Sequence, residues 1–350
     1  MMELGDQGQK EKFPVSLLRM DCWEWPQGVG LLGLAKYAIA QKDQEVLDFL
    51  VKWYDDHMEQ AADPSRLERN VNSTAPMIAL TYLYEYYPKP EYMELIRSWA
   101  DWVMDPDGLI RTGDGCMQHM ITGDPNNDQL LIDTLYMTVL FLLRAGKMLG
   151  RQDMIDESNY QVLAHIKYLF DTHTGMFFHG WSFNGMHNYG RVHWLRGNSW
   201  YTVGAMDIIF EQENLPEAIR RMYIHTLSRQ AQAIKAYQDQ EEGLWHTVMD
   251  EPDSYIEISG SAACLCGIMK AVRKGLLDGA EYIDMIRLGV SNIFRYIDED
   301  GAVRNVSYGT PIGSDKQFYM DIPCFIMTYG QALMILLLHE CMDEYWMSKL

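Results

Sequence analysis

Apolar residues recur at three- and four-residue spacing through eleven stretches of the chain: 26–40, 44–60, 73–87, 91–104, 128–149, 152–170, 198–210, 216–237, 258–273, 279–297 and 322–343. That periodicity predicts eleven helices and leaves little room for a conventional sheet. The stretches alternate in character. WPQGVGLLGLAKYAIA, LLIDTLYMTVLFLL, GNSWYTVGAMDIIF, SGSAACLCGIM and DIPCFIMTYGQALMILLL are apolar nearly all round, whereas QEVLDFLVKWYDDHMEQ and NLPEAIRRMYIHTLSRQAQAIKAYQ carry a polar face. A helix apolar on every side must be buried on every side, so the first set predicts an inner layer and the second an outer one.

The connections repeat as well. Four outer helices are each followed by a polar turn, a glycine and a short extended apolar piece, at 105–114, 172–181, 240–250 and 299–307. Inner helices are predicted to start near 26, 72, 127, 197, 258 and 322. A unit that recurs in this way buries its apolar face against its neighbours. Open arrays of such units end in polar caps. Here the first and last inner helices are both apolar throughout, so each needs a flanking partner, and closing the ring supplies one. The expected fold is all-α, an (α/α)6 barrel of six helical hairpins, with a flexible N-terminal segment at 1–16 and one barrel domain over 17–350. In such a ring a functional cavity lies where the outer-to-inner connections converge.

Charge narrows the function classes. The 29 basic and 49 acidic side chains leave a formal charge of −20, which argues against a binder of nucleic acid or of an anionic membrane surface. The first twelve residues lack the apolar core of a secretory signal, and no apolar run reaches the roughly 18 residues of a membrane span. A cytoplasmic protein is expected. Six scattered cysteines fit reduced, buried thiols, and Cys264 with Cys266 lacks the further ligands of a zinc site, so no metal and no cofactor are expected. There is no phosphate loop, no strand-embedded GxGxxG, no HExxH and no GxSxG.

Candidate chemistry gathers at the predicted inner-helix starts. Asp133 lies in the most apolar helix, and its carboxyl is expected to be a capping group or a general acid whose pKa the apolar surroundings raise. In HWLRGNSWYTVG, Trp194, Arg196 and Trp200 combine a planar cationic fork with stacking faces, either core or a grip on an anionic sugar. His119 and His179 sit in loops predicted at the same end and are either internally satisfied or functional. Asp21, Trp23, Glu24 and Trp25 precede the first inner helix; Glu24 is either a second acid or a cap. The chain holds 10 Trp, 21 Tyr and 11 Phe, and the subset assigned to sugar is Trp23, Trp25, Trp181, Trp194 and Trp200.

The blocks WEWPQGVGLLGL, VNSTAPMIAL, IDTLYMTVLFL, GMFFHGWSFNG, WLRGNSWY and YGTPIGSDKQFYMDIP, in this order, resemble glycoside hydrolase family 105, the unsaturated rhamnogalacturonyl hydrolases. The resemblance runs from about 17 to 340. It implies an (α/α)6 barrel that removes a Δ4,5-unsaturated galacturonyl residue from the non-reducing end of short pectin fragments. It also implies the route: C4 of the vinyl ether is protonated, water adds at C5, and the resulting hemiketal opens and expels the aglycone. Asp133 matches the acid, His179 and His119 match loop histidines, and Trp194, Arg196 and Trp200 match the block that holds the planar uronate. Related unsaturated glucuronyl hydrolases carry a second Asp where Asn72 stands here, so Asn72 is expected to position substrate without titrating. The implied partner is a small anionic oligosaccharide. A glucuronyl-specific enzyme, an epimerase or neutral glycosidase on the same barrel, and a non-catalytic scaffold are the alternatives. Oligomeric state is not fixed by sequence.

Overall fold

Polar side chains mark many of the helix starts. Asp43, Asn70, Glu257 and Asp278 each accept backbone N–H groups of the first turn, and Asn70 with Ser73 forms a reciprocal capping box. In a computed structural model, which describes residues 19–350, the helices that follow are α1 (Trp25–Gln41), α2 (Gln44–Ala62), α3 (Val71–Tyr86), α4 (Pro90–Met104), α5 (Leu140–Leu149), α6 (Gln152–Leu169), α7 (Leu195–Phe210), α8 (Glu217–Ala236), α9 (Ile258–Arg273), α10 (Gly279–Ile293), the short α11 (Lys316–Met320) and α12 (Thr328–Cys341). The segment 1–16, expected to be flexible, lies outside the described residues.

Six of these helices form a ring. α1 packs on α3, α3 on α5, α5 on α7, α7 on α9, α9 on α12, and α12 returns to α1. Outside it, α2, α4, α6, α8 and α10 cover the inner helices. The expected (α/α)6 barrel is therefore the observed architecture. No helix among the described residues is long and apolar enough to cross a membrane.

Close contact between inner helices explains their small residues. A Cβ placed on Gly33 of α1 would lie 2.7 Å from the Ala332 Cβ of α12, and one on Gly267 of α9 would lie 2.4 Å from the Thr202 carbonyl of α7. Both are closer than side-chain atoms tolerate, so these glycines let neighbouring backbones touch and the ring close. The repeated turns have their own requirement: Gly175, Gly243 and Gly301 adopt φ between 71° and 85°, a conformation open to glycine at little cost.

Two predicted helix starts are corrected. Residues 128–132 do not begin a helix; Gln129–Leu131 is a strand, β1, and 322–327 likewise includes a short strand, Cys324–Phe325, before α12. Together with Phe170–Asp171 (β2), Met176–Phe177 (β3), Gly180–Ser182 (β4) and Val306–Ser307 (β5), these make three two-stranded ribbons, with Cys324–Phe325 as β6. β1 pairs with β4, β2 with β3, and β5 with β6. A short apolar run does not distinguish a buried strand from a buried helix, and here pairing partners decide.

Gly267→Ala is expected to force α7 and α9 apart and to lower stability by about 1–3 kcal/mol, the usual cost of overpacking. Urea denaturation checks it; an unchanged midpoint would show that this contact does not limit the ring.

Candidate active site

Strand β1 brings the site together. Its neighbour on one side is His119, whose backbone N–H donates to the Gln129 carbonyl at 2.9 Å. On the other is β4, and the ladder runs one step further, with the Ile132 N–H donating to the His179 carbonyl at 3.0 Å. Asp133 follows at once, in the first turn of the inner helix, where the backbone winds as a π-helix over Leu135–Val139. Such π segments occur often at functional sites. Asp133, His119 and His179 thus converge because a strand pairs at a place where the pattern predicts continuous helix.

The Asp133 carboxylate has two distinct oxygens. Oδ1 accepts from the indole N–H of Trp200 at 3.0 Å, and the Trp200 ring is itself fixed by stacking on Tyr136. Oδ2 lies 3.2 Å from His179 Nε2, off the line of a regular hydrogen bond, and both atoms are otherwise buried and unpaired. Buried polar atoms left in this way are rare and mark strain or function. On its other ring nitrogen, His179 Nδ1 is 2.7 Å from the Tyr319 hydroxyl. His119 is held through Nδ1 by Thr134 at 2.9 Å.

Apolar surroundings were expected to raise the Asp133 carboxyl. Burial does push it up and is the largest influence, but the adjoining His179, with His119 and Arg196, together hold it below the ordinary carboxylate range. Asp133 is therefore ionised in the free protein at neutral pH. Burial also lowers His119 to about 4, more than the nearby Asp133 charge raises it.

Arg196 lies at the centre of a cation–aromatic stack. Its guanidinium sits 4.6 Å from the Trp194 ring and 4.8 Å from the Tyr329 ring; Trp25 stacks on Tyr329 at 4.6 Å and His179 lies against Trp194 at 4.5 Å. The fork itself is turned toward protein. One end donates to the Ser307 carbonyl at 2.9 Å and to the Ser307 hydroxyl, the other to the Tyr308 carbonyl and the Thr310 hydroxyl, each at 3.0 Å. Glu257, as fully buried as Arg196, lies 3.6 Å away. Only the Nε–H is left without a partner. Glu257 itself accepts from the Ser259, Gly260 and Ser307 N–H groups.

The remaining candidates divide. Asn72 stands in the first turn of α3, half-buried, beside the Asn70 cap. Trp25 is half-buried at the start of α1. Glu24 serves as the α1 cap, accepting from the Trp25 N–H at 3.1 Å and from Thr122 at 3.3 Å; burial raises its carboxyl. Of the tryptophans assigned to sugar, Trp23 belongs to packing. Trp23 is buried on Trp53 and donates to the Ser73 carbonyl, and Trp181 packs on Tyr168. Tyr319, Glu257 and Tyr329 were not singled out by the sequence reading. A cavity of about 530 Å³ lies elsewhere, between α5, the outer helix α6 and the connection from α7 to α8, and holds none of this chemistry.

Two predictions follow from these contacts. Arg196→Ala would leave Glu257 charged, buried and without its cation, so a loss of about 3–5 kcal/mol is expected in chemical denaturation; an unchanged midpoint would mean the pair is not buried as described. For His119, the ordinary value of 6.5 in the unfolded chain and about 4 in the folded one mean that the unfolded state binds the extra proton between these limits. Stability from neutral His119 is fully present above 6.5 and is lost as pH falls through about 4. NMR titration of the labelled imidazole is expected to show a midpoint near 4, and a midpoint near 6.5 would refute the burial argument.

The sequence pattern described as Glycosyl Hydrolase Family 88 matches residues 6–345. The unsaturated rhamnogalacturonyl hydrolase YesR of Bacillus subtilis (strain 168) is 28% identical over 324 residues, covering 91% of this chain and 89% of that protein. An unsaturated 3S-rhamnoglycuronyl hydrolase of Alteromonas sp. (strain LOR) is 26% identical over 319 residues, 84% of this chain and 74% of that one. A crystal structure from Klebsiella pneumoniae subsp. pneumoniae MGH 78578, described as a possible member of GH105, superposes with a TM-score of 0.91 at 38% identity, covering 98% of this chain and 90% of that chain. These similarities agree with the resemblance read from the sequence blocks, and the chain belongs to the glycoside hydrolase family 88/105 enzymes.

Proposed function

We propose that this enzyme removes a Δ4,5-unsaturated galacturonyl residue from the non-reducing end of short rhamnogalacturonan-derived oligosaccharides by hydrating the C4=C5 bond. The observation that carries this reading is the carboxylate of Asp133, whose close partners are an indole and an imidazole rather than a second acid. Direct displacement at a glycosidic carbon uses two carboxyl groups, whereas hydration of a vinyl ether asks one group to give a proton and take one back. The similarity to YesR supports the substrate class.

In this route the protonated Asp133 carboxyl transfers its proton to C4. Positive charge develops at C5 and is shared by the ring oxygen. Water then adds at C5 and returns a proton to Asp133, leaving a hemiketal that opens and releases the aglycone from C1. The free carboxylate is ionised, so it must first gain a proton, and the uronate's own negative charge, brought into the enclosed site, raises the carboxyl in the required direction. Arg196 contributes its charge, the buried Trp194 and Trp200 hold Arg196 and Asp133 in place, half-buried Trp25 lines the approach, and Asn72, His119 and His179 position substrate. The route asks for no cofactor. Six free thiols support action in the reducing cytoplasm.

Asp133→Asn keeps an acceptor for Trp200 but carries no transferable proton. It is expected to lower turnover of an unsaturated galacturonyl-rhamnose disaccharide by about 10²–10⁴-fold, followed as loss of the C4=C5 ultraviolet absorbance. Near-normal turnover would remove Asp133 from the chemistry. The same assay on the glucuronyl analogue reports sugar preference.

A further inference from the structure

The Tyr319 hydroxyl is buried between a backbone donor and an imidazole. It accepts from the Gly313 N–H at 3.0 Å and lies 2.7 Å from His179 Nδ1. Tyr319 sits on α11, in the excursion that leaves the barrel between β5 and β6, and its ring packs against both His179 and Trp194. The side chain is 1% exposed, so water does not serve its O–H.

A phenol has one proton to donate. The Gly313 N–H occupies an acceptor position, and the other polar atom at hydrogen-bonding distance is His179 Nδ1. If Nδ1 carried the imidazole proton, two donors would meet the oxygen and the phenolic proton would be left buried without an acceptor, an expensive arrangement. The alternative satisfies the phenol: Tyr319 donates to a bare Nδ1, and the imidazole proton resides on Nε2. That nitrogen faces Asp133 Oδ2 at 3.2 Å.

We propose that Tyr319 is a positioning residue that fixes the Nε2–H tautomer of His179 and so makes His179 a donor toward the catalytic carboxylate rather than a base. The catalytic half of this inference rests on the function proposed above; the tautomer does not. With Oδ1 held by Trp200 and Oδ2 faced by a fixed N–H, the Asp133 carboxylate has one orientation from which to receive and deliver a proton. The excursion that carries Tyr319 also supplies the Tyr308 carbonyl and the Thr310 hydroxyl to Arg196, so one segment orients both charged groups of the site.

The test uses the full chain with ¹⁵N-labelled histidine, and the His179 signals are assigned by their loss in His179→Gln. Wild-type protein is expected to show the Nε2–H tautomer at His179. Tyr319→Phe, with a native circular dichroism spectrum, is expected to show a mixture or the Nδ1–H form. On the unsaturated disaccharide its kcat is expected to fall about tenfold with KM little changed. An Nδ1–H tautomer in the wild type overturns the proposal, and this reading stands even if the variant does not fold. A folded Tyr319→Phe that keeps both the pure Nε2–H form and full kcat overturns it as well. Failure of the wild type to turn over any unsaturated uronide, with the tautomer as expected, overturns the catalytic half and the proposed function while leaving the tautomer assignment in place.

Discussion

An ionised carboxylate inside an apolar ring of helices is unstable unless its surroundings compensate for lost water, and much of this site is organised by that constraint. Asp133 meets an indole N–H on one oxygen, an imidazole on the other, and the positive charge of Arg196 behind them. Arg196 in turn requires compensation, which Glu257 and the carbonyls of Ser307 and Tyr308 supply. Glu257 is satisfied by the first turn of α9. The chain of dependence runs from the carboxylate to α7, α9 and the segment after β5. It explains why these elements meet at the amino-terminal ends of the inner helices.

The closed ring makes that meeting possible. Glycines at the inner interfaces let helix backbones touch, and the starts of successive inner helices then lie around one opening. The short ribbons do the finer placement. β1 delivers His119 and His179 to the two flanks of Asp133, a task that a continuous helix through 128–149 would not perform.

Much of this was legible in the sequence. All-round apolar helices alternating with amphipathic ones are a direct consequence of burial, so the barrel could be read from them. Asp133 stood out because a carboxylate in the most apolar helix needs a reason. The misread starts at 128 and 322 are short apolar runs whose state is decided by distant partners, Gly180–Ser182 and Val306–Ser307. The same limit applies to side-chain roles. Trp200 was read as a stacking face, but its indole N–H is what touches Asp133. Arg196 was read as a fork for substrate, while Glu257 and residues 307–310 occupy that fork from far along the chain. Nothing local to Tyr319 signals that it will meet His179, 140 positions earlier. Under the proposed function the net charge of −20 also takes on meaning: an acidic protein that binds an anion needs a local cation, and Arg196 is the cation whose charge reaches Asp133.

The central claim is that water is added across the sugar's double bond and is not directed at the glycosidic carbon. Proton NMR of the reaction in D₂O, read at the earliest times, tests it most directly. The account predicts that the vinyl C4–H signal disappears in step with aglycone release and that the freed sugar carries deuterium at C4. Release of the aglycone together with a free unsaturated uronate, its vinyl proton intact, would contradict it.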